Sequence, residues 1–323
     1  MNAAEIRARI NAQIIKALEA GTPPWVRPWK MSMAEEGGGR HHNFVSKKRV
    51  YRGVNPLILE MQCLERDWTC KAWGTFNQWK MFNCHVNKGE KATMIVLWKP
   101  IFDKTTEGDE KRRPKTFLLR YFYVFNACQV AGNSADAEKF LERYRKIGPA
   151  AAEPIAWPVE SAAEEYATAR LIVQSAVDNG MVLTHGGNRA CWKQGTENVK
   201  MPKPMQFPTP SHYYETLFHE MGHWTEQKRL CDWDRKKWGY AMGELRAELT
   251  CCYLRQHADI PPGESVENHT AYIKGWLEKM REDDQWIFRA CRFADVAADC
   301  LLKMAGLNDQ TVEEEADAGK EAA

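Results

Sequence analysis

The run His219-Glu220-Met221-Gly222-His223 constrains this chain more than any other part of its sequence. Two histidines four apart converge on one point only if the backbone between them is helical, because positions i and i+4 lie one turn apart on the same face. So arranged, the two imidazoles can grip one zinc ion. Glu220 beside them is placed to take a proton from a water that the metal has acidified, for attack on an amide. A chain that uses these residues must set a helix along a cleft and bring at least a third ligand to it from another element.

The flanking sequence agrees. Residues 201–210 carry four prolines, each lacking an amide proton and biasing its predecessor toward extended backbone, so the helix is expected to begin after them with Ser211 as N-cap. From there Tyr214, Leu217, Phe218, Met221 and Trp224 recur at the spacing of a helix buried along one side. A second helix from Tyr240 carries Glu244 and Glu248, with Leu245, Leu249 and Cys252 marking its apolar side. Glu244 lies 21 residues past His223, and this separation resembles the gluzincin class of metallopeptidases, in which the third ligand is a glutamate on a following helix. The resemblance implies Glu244 as the ligand and Glu248, one turn on, as the carboxylate that orients a ligating histidine, with the exchanged assignment as the alternative. Zinc is the expected metal; manganese or another divalent ion is the alternative. Tyr213 or Tyr214 would line the cleft, without an oxyanion role.

The net charge of +2 hides a polarity along the chain. Residues 1–130 hold 22 Lys and Arg against 12 Asp and Glu, and the remainder 23 against 31. In the basic part six tryptophans are interleaved with the cations, the combination by which proteins stack and neutralise single-stranded nucleic acid. An amphipathic helix is expected over residues 3–20, with Ile6, Ile10, Ile14, Ile15 and Leu18 on one face. A Gly-rich loop over residues 36–42, a helix over 56–66, a short helix capped by Thr75, and a long-looped antiparallel hairpin of residues 93–102 and 116–125 follow. The Ala/Pro-rich stretch from Gly148 suggests a boundary. Beyond it the order is helix over 161–179, short strands over 182–199, the histidine helix, the glutamate helix and a helical segment over 268–302. The expected domains are thus 1–147, a linker over 148–160, a second domain over 161–307, and an acidic disordered tail over 308–323.

The sequence lacks an apolar leader and any run long enough to span a bilayer, so a cytoplasmic protein without a membrane partner is expected. Its ten cysteines are scattered without a Cys-x-x-Cys pair and read as free thiols in apolar surroundings, as at Cys63, Cys128, Cys251 and Cys300. No phosphate-binding Gly-Lys-Ser/Thr loop occurs, which counts against a nucleotide-driven motor.

Several blocks, in order, carry a wider resemblance: Pro24-Trp25 with Pro28-Trp29, residues 51–55, 73–78, 86–91, 123–129, 213–225 and 243–248. Together they resemble the ArdC-type antirestriction proteins of conjugative plasmids and other mobile elements. The resemblance implies an α+β fold, with an N-terminal single-stranded-DNA-binding domain joined to a zincin-like metallopeptidase domain, and a role in protecting incoming DNA from host restriction. Single-stranded DNA is the implied partner, alongside a protein substrate or a host restriction component. The exposed basic and aromatic positions of the blocks are the DNA-binding candidates: Lys47, Lys48, Arg49, Tyr51, Arg52, Asn55, Trp73, Lys88 and Lys91. Asn55, before Pro56, also reads as a helix cap. The N-terminal part further resembles a domain of certain conjugative primases. Where many relatives carry paired glutamates, this chain has Gly243 before Glu244.

Overall fold

The computed structural model describes residues 1–19, 40–45, 50–66, 68, 70–101, 116–145, 166–260 and 267–307. Lys47, Lys48, Arg49, the Pro-Trp pairs, residues 36–39 of the Gly-rich loop, the linker 148–160 and the tail 308–323 lie outside the described residues.

Helices and sheets are mixed, as expected for an α+β protein. Helix α1 (Ala3–Glu19) buries Ile6, Ile10, Ile14 and Leu18, the four-residue spacing that puts one stripe against a core. Four strands form the first sheet in the order β1 (His42–Asn43), β2 (Ala72–Gly74), β5 (Thr116–Asn126) and β4 (Thr93–Ile101). β4 and β5 are the expected hairpin, paired antiparallel from Thr93 opposite Val124 to Ile101 opposite Thr116. Helix α2 (Asn55–Arg66) is tied to β4 by Asn55, whose side chain donates to the Val96 carbonyl at 2.7 Å and accepts from the Val96 amide at 2.8 Å. Helix α3 (Phe76–Met81) starts at the expected cap, Thr75. A two-stranded sheet of β3 (Cys84–Val86) and β6 (Val130–Gly132), with α4 (Ala135–Arg145), completes this part.

The second part opens with α5 (Ala167–Asp178) and a three-stranded sheet in the order β7 (Val182–His185), β9 (Asn198–Met201), β8 (Cys191–Trp192). Then come α6 (Pro210–Trp224), the one-turn α7 (Arg235–Trp238), α8 (Tyr240–His257), α9 (Glu267–Glu282) and α10 (Trp286–Met304). The N-cap of α6 is Thr209 rather than Ser211, since proline has no amide to lose at the first helical position and Pro210 fits there. Helix α8 is buried on all sides from Met242 to Arg255, so its charged residues Glu244, Arg246, Glu248 and Arg255 are interior groups that need partners. Among the described residues no helix is long and apolar enough to cross a membrane.

One hydrophobic core runs through both parts: Ile6, Ile10 and Leu57 belong to the same cluster as Phe218, Leu249 and Leu301. Polar contacts follow the same line. Asn11 donates to the Met280 carbonyl at 2.7 Å, Arg7 pairs with Asp284 at 3.0 Å, and Tyr253 of α8 donates to the Gly53 carbonyl at 2.8 Å.

Beneath the first sheet sits a buried polar group. His41 is fully buried; its Nδ1 accepts from the Trp73 indole at 3.0 Å, which leaves Nε2–H to donate to Glu60 at 2.8 Å, and Lys71 pairs with the same carboxylate. Burial, reinforced by the Lys71 charge and only partly opposed by Glu60, lowers the His41 pKa to about 4 from 6.5. The folded state therefore keeps the ring neutral where the unfolded chain already takes up a proton. Stability should fall as pH drops from about 6.5 to about 4, by about 3 kcal/mol in total from this residue. Denaturant unfolding across that window measures it, and His41→Gln, which can still donate and accept, should remove most of the slope. An equal slope in the variant would assign the pH dependence elsewhere.

Candidate metal centre

Helix α6 turns His219 and His223 to one face, their ring centroids 4.9 Å apart and their planes nearly perpendicular at 83°. Helix α8 packs across α6 and carries Glu244 to them: His219 Nε2 lies 3.6 Å from one Glu244 oxygen, and His223 Nε2 lies 3.6 Å from the other. One donor atom from each of the three residues falls within 4.8 Å of the others. The helices approach this closely because Gly222 faces Ala247; a Cβ on Gly222 would stand 3.0 Å from the Ala247 Cα. Fully buried Arg246 fastens the crossing, donating to the Gly222 carbonyl at 2.6 Å and the Thr225 hydroxyl at 2.7 Å.

Behind each imidazole stands a carboxylate. His219 Nδ1 meets Glu248 at 2.9 Å, and His223 Nδ1 meets Glu226 at 2.8 Å. With Nδ1–H donated to Glu248, His219 presents Nε2 to the shared space; His223 Nδ1 lies within reach of both the Glu226 carboxylate and, at 2.7 Å, the Arg235 guanidinium, and its Nε2 faces the same space. Glu226 was not among the sequence candidates, although a glutamate three residues after His223 is within one helical turn of it. Arg235, also unassigned, pairs with Glu226 at 2.7 Å. Glu220 accepts from the Trp192 amide of edge strand β8 at 2.6 Å. The Tyr213 hydroxyl bonds to His185, 2.9 Å from its Nε2.

The electrostatics favour positive charge where the donors meet. Burial works against a charged His219, but the carboxylates of Glu244, Glu248 and the nearby Glu220 outweigh it and hold the pKa well above 6.5. Burial likewise opposes ionisation of Glu244, and the two histidines overcome it, keeping that carboxyl well below the usual carboxylate range.

A family model described as the N-terminal domain of anti-restriction factor ArdC matches residues 4–125, and a zincin-like metallopeptidase model matches residues 171–293. An uncharacterized protein of Sinorhizobium fredii, y4eC, is 30% identical over 314 residues, which cover 92% of this chain and 91% of that protein. The crystal structure of a metal-free antirestriction ArdC protein from the R388 plasmid matches with a TM-score of 0.69 at 28% identity, covering 94% of this chain and 99% of that one. The chain belongs to the ArdC antirestriction family. A DNA primase TraC of Escherichia coli is 29% identical over 91% of this chain, which spans 27% of the primase. A second ArdC crystal structure, Mn(II)-bound, matches with a TM-score of 0.66, covering 93% of this chain and 97% of that one.

In this ArdC relative the zincin-like domain implies a divalent metal. The donor set fits one: metal–ligand bonds of about 2.0–2.1 Å in tetrahedral geometry put donors about 3.3 Å apart, close to the 3.6 Å separations here. The ArdC-like N-terminal blocks are distributed differently from the expectation. Trp73 is 0% exposed, held by His41 and packed among Leu59, Ile95 and Val124, so it has no face to offer a base. Asn55 is spent on Val96. Arg52 pairs with Asp295 at 3.0 Å and with Asp299, both on α10, and so joins the two parts of the chain while staying partly exposed. Tyr51 is half-buried, its hydroxyl 3.4 Å from the Asn43 amide, and Lys88 and Lys91 are exposed.

Proposed function

We propose that this protein is the antirestriction factor of a mobile element, acting in the cytoplasm, where it binds single-stranded DNA and protects incoming DNA from host restriction. The observation that carries the reading is the ArdC N-terminal match over residues 4–125, a stretch with 22 Lys and Arg against 12 Asp and Glu. Lys88 and Lys91 remain phosphate contacts, together with Lys47, Lys48 and Arg49. In place of Trp73, the exposed rings Trp98, Phe117 and Tyr123, which the alternation of the β4–β5 hairpin puts on one face, are assigned to stacking. A titration of labelled oligonucleotide with the full chain, at several salt concentrations, tests this. Single strands should bind more tightly than duplex, because only unpaired bases can stack. Lys88→Ala with Lys91→Ala should flatten the logarithmic salt slope by about 1.4, at about 0.7 per phosphate contact. A preference for duplex overturns the reading.

A second reading, an active zinc endopeptidase brought by its N-terminal part to a DNA-associated protein, is favoured by Glu220. A site that only held structure together would have no use for this carboxylate beside two ligands. His219, His223 and Glu244 would hold the metal, and Glu248 and Glu226 would keep the imidazoles aimed. When bound, a divalent metal supplies Lewis acidity, polarising a carbonyl and making water a stronger acid. The Trp192 amide holds one Glu220 oxygen, which orients the carboxylate so that the other can accept a proton from water.

A further inference from the structure

The short segment between the two metal-site helices introduces one cation into the wall of the centre. Asp234 caps α7 by accepting from the Lys236 and Lys237 amides, and Arg235 is the first residue of that helix. Its Nε and Nη2 donate to the two oxygens of Glu226 at 2.9 and 2.7 Å, a fork-on-fork pair that fixes the planes of both groups. The same Nη2 lies 2.7 Å from His223 Nδ1, and Nη1 lies 3.6 Å from Glu244 Oε1, the oxygen facing His223 Nε2. One guanidinium thus touches the carboxylate behind an imidazole and the carboxylate in front of it. The Tyr240 ring, 5.9 Å away, adds a cation–π contact.

Gly243 makes room for this. A Cβ there would stand 3.3 Å from the Arg235 guanidinium carbon, from its Nη2 and from the Trp233 ring. A glycine inside a helix costs about 1 kcal/mol relative to alanine. No left-handed backbone requires one at this position. Space for the guanidinium is the physical reason the structure offers.

We propose that Arg235, admitted by Gly243, is a positioning residue of the metal centre: it holds Glu226 against His223 and steadies Glu244, so that the ligands are aligned before a divalent cation arrives. The inference rests on the reading of His219, His223 and Glu244 as ligands. Two effects of Arg235 oppose each other. Its charge repels a cation, and on that ground alone removing it would tighten binding. Face-to-face pairing with Glu226 cancels most of that field, which leaves orientation as the larger effect; losing the partners that orient metal-binding histidines typically weakens affinity about 10- to 100-fold.

The sign of the change decides between them. Zinc and manganese are titrated into the metal-free full-length protein against a chromophoric chelator, and melting temperatures of the metal-free proteins are recorded alongside. Arg235→Ala should weaken metal binding at least tenfold. Gly243→Val, which pushes on the guanidinium, should weaken it comparably, and the double variant should be no worse than either alone, because both remove the same alignment. Unchanged or tighter binding by Arg235→Ala overturns the proposal, and additive losses overturn the role of Gly243. Should alanine prevent folding, Arg235→Lys keeps the charge and loses the fork: severalfold weaker binding supports the proposal, and wild-type affinity refutes it. Failure of the unaltered protein to bind either cation would instead sink the ligand assignment itself.

Discussion

Glu220→Ala is expected to leave the metal bound and the fold intact while any peptide hydrolysis falls by about 10²- to 10⁴-fold, the usual effect of losing a positioned general base. Its carboxylate reaches β8 and not the cluster of His219, His223 and Glu244, so the ligand geometry does not depend on it. The double change His219→Ala, His223→Ala should behave oppositely and abolish stoichiometric metal, because a single carboxylate on α8 cannot hold the ion alone. Elemental analysis separates the two variants, and a plasmid-transfer assay then reads their biological meaning. Protection that survives Glu220→Ala would make proteolysis dispensable; protection that disappears while oligonucleotide binding persists would exclude a binding-only mechanism. Metal retained by the double variant would refute the assignment of both histidines.

Gly222→Val should damage stability and metal binding together. The added Cβ would meet the backbone of Ala247 at 3.0 Å, and backbone cannot swing aside as a flexible side chain can. Either α6 and α8 separate or their register shifts. Overpacking of a tight core costs about 1–3 kcal/mol, and a β-branched residue facing backbone belongs at the upper end. Because Glu244 sits on α8 three residues before Ala247, the same displacement moves it from the histidines, and affinity should fall at least tenfold. Thermal unfolding of the metal-free protein and chelator competition check the two halves. A variant that melts like the wild type would show that the crossing has slack.

The legible part of this site was the part written in local spacing. His219 and His223 needed only the helical period, whereas the roles of Glu244 and Glu248 were implied by the likeness to gluzincins, which left their exchange open. Glu226 had a signal too, its position three residues after His223, but that turn leaves the helix at Thr225, and periodicity says nothing about side chains past a helix end. Arg235 reaches the site through a one-turn helix whose direction follows from packing, which no pattern in the sequence encodes. The N-terminal candidates show the converse. Trp73 and Arg52 belong to basic, aromatic blocks, and composition cannot distinguish a ring offered to a base from one sealed against His41, or a cation meant for phosphate from one paired with residues of α10. The stripe of α1 and the β4–β5 pairing were readable because each repeats one simple period over many residues.

The seating of α1 has a consequence for how the protein is made. Asn11 bonds to a carbonyl 269 residues later in the chain, and the isoleucines beside it share a core with residues of α10. At roughly 5–20 residues per second, a ribosome needs about 10 to 60 seconds to deliver that partner after the first helix has emerged. For that interval the stripe of the nascent chain can be covered only from the side of α2, β4 and β5, and aggregation or chaperone capture competes with folding. On the proposed reading, in which the protein is borne by a mobile element entering a new cell, this delay adds to the time before a working copy exists. A message cut short before the last helix should yield no stably folded product.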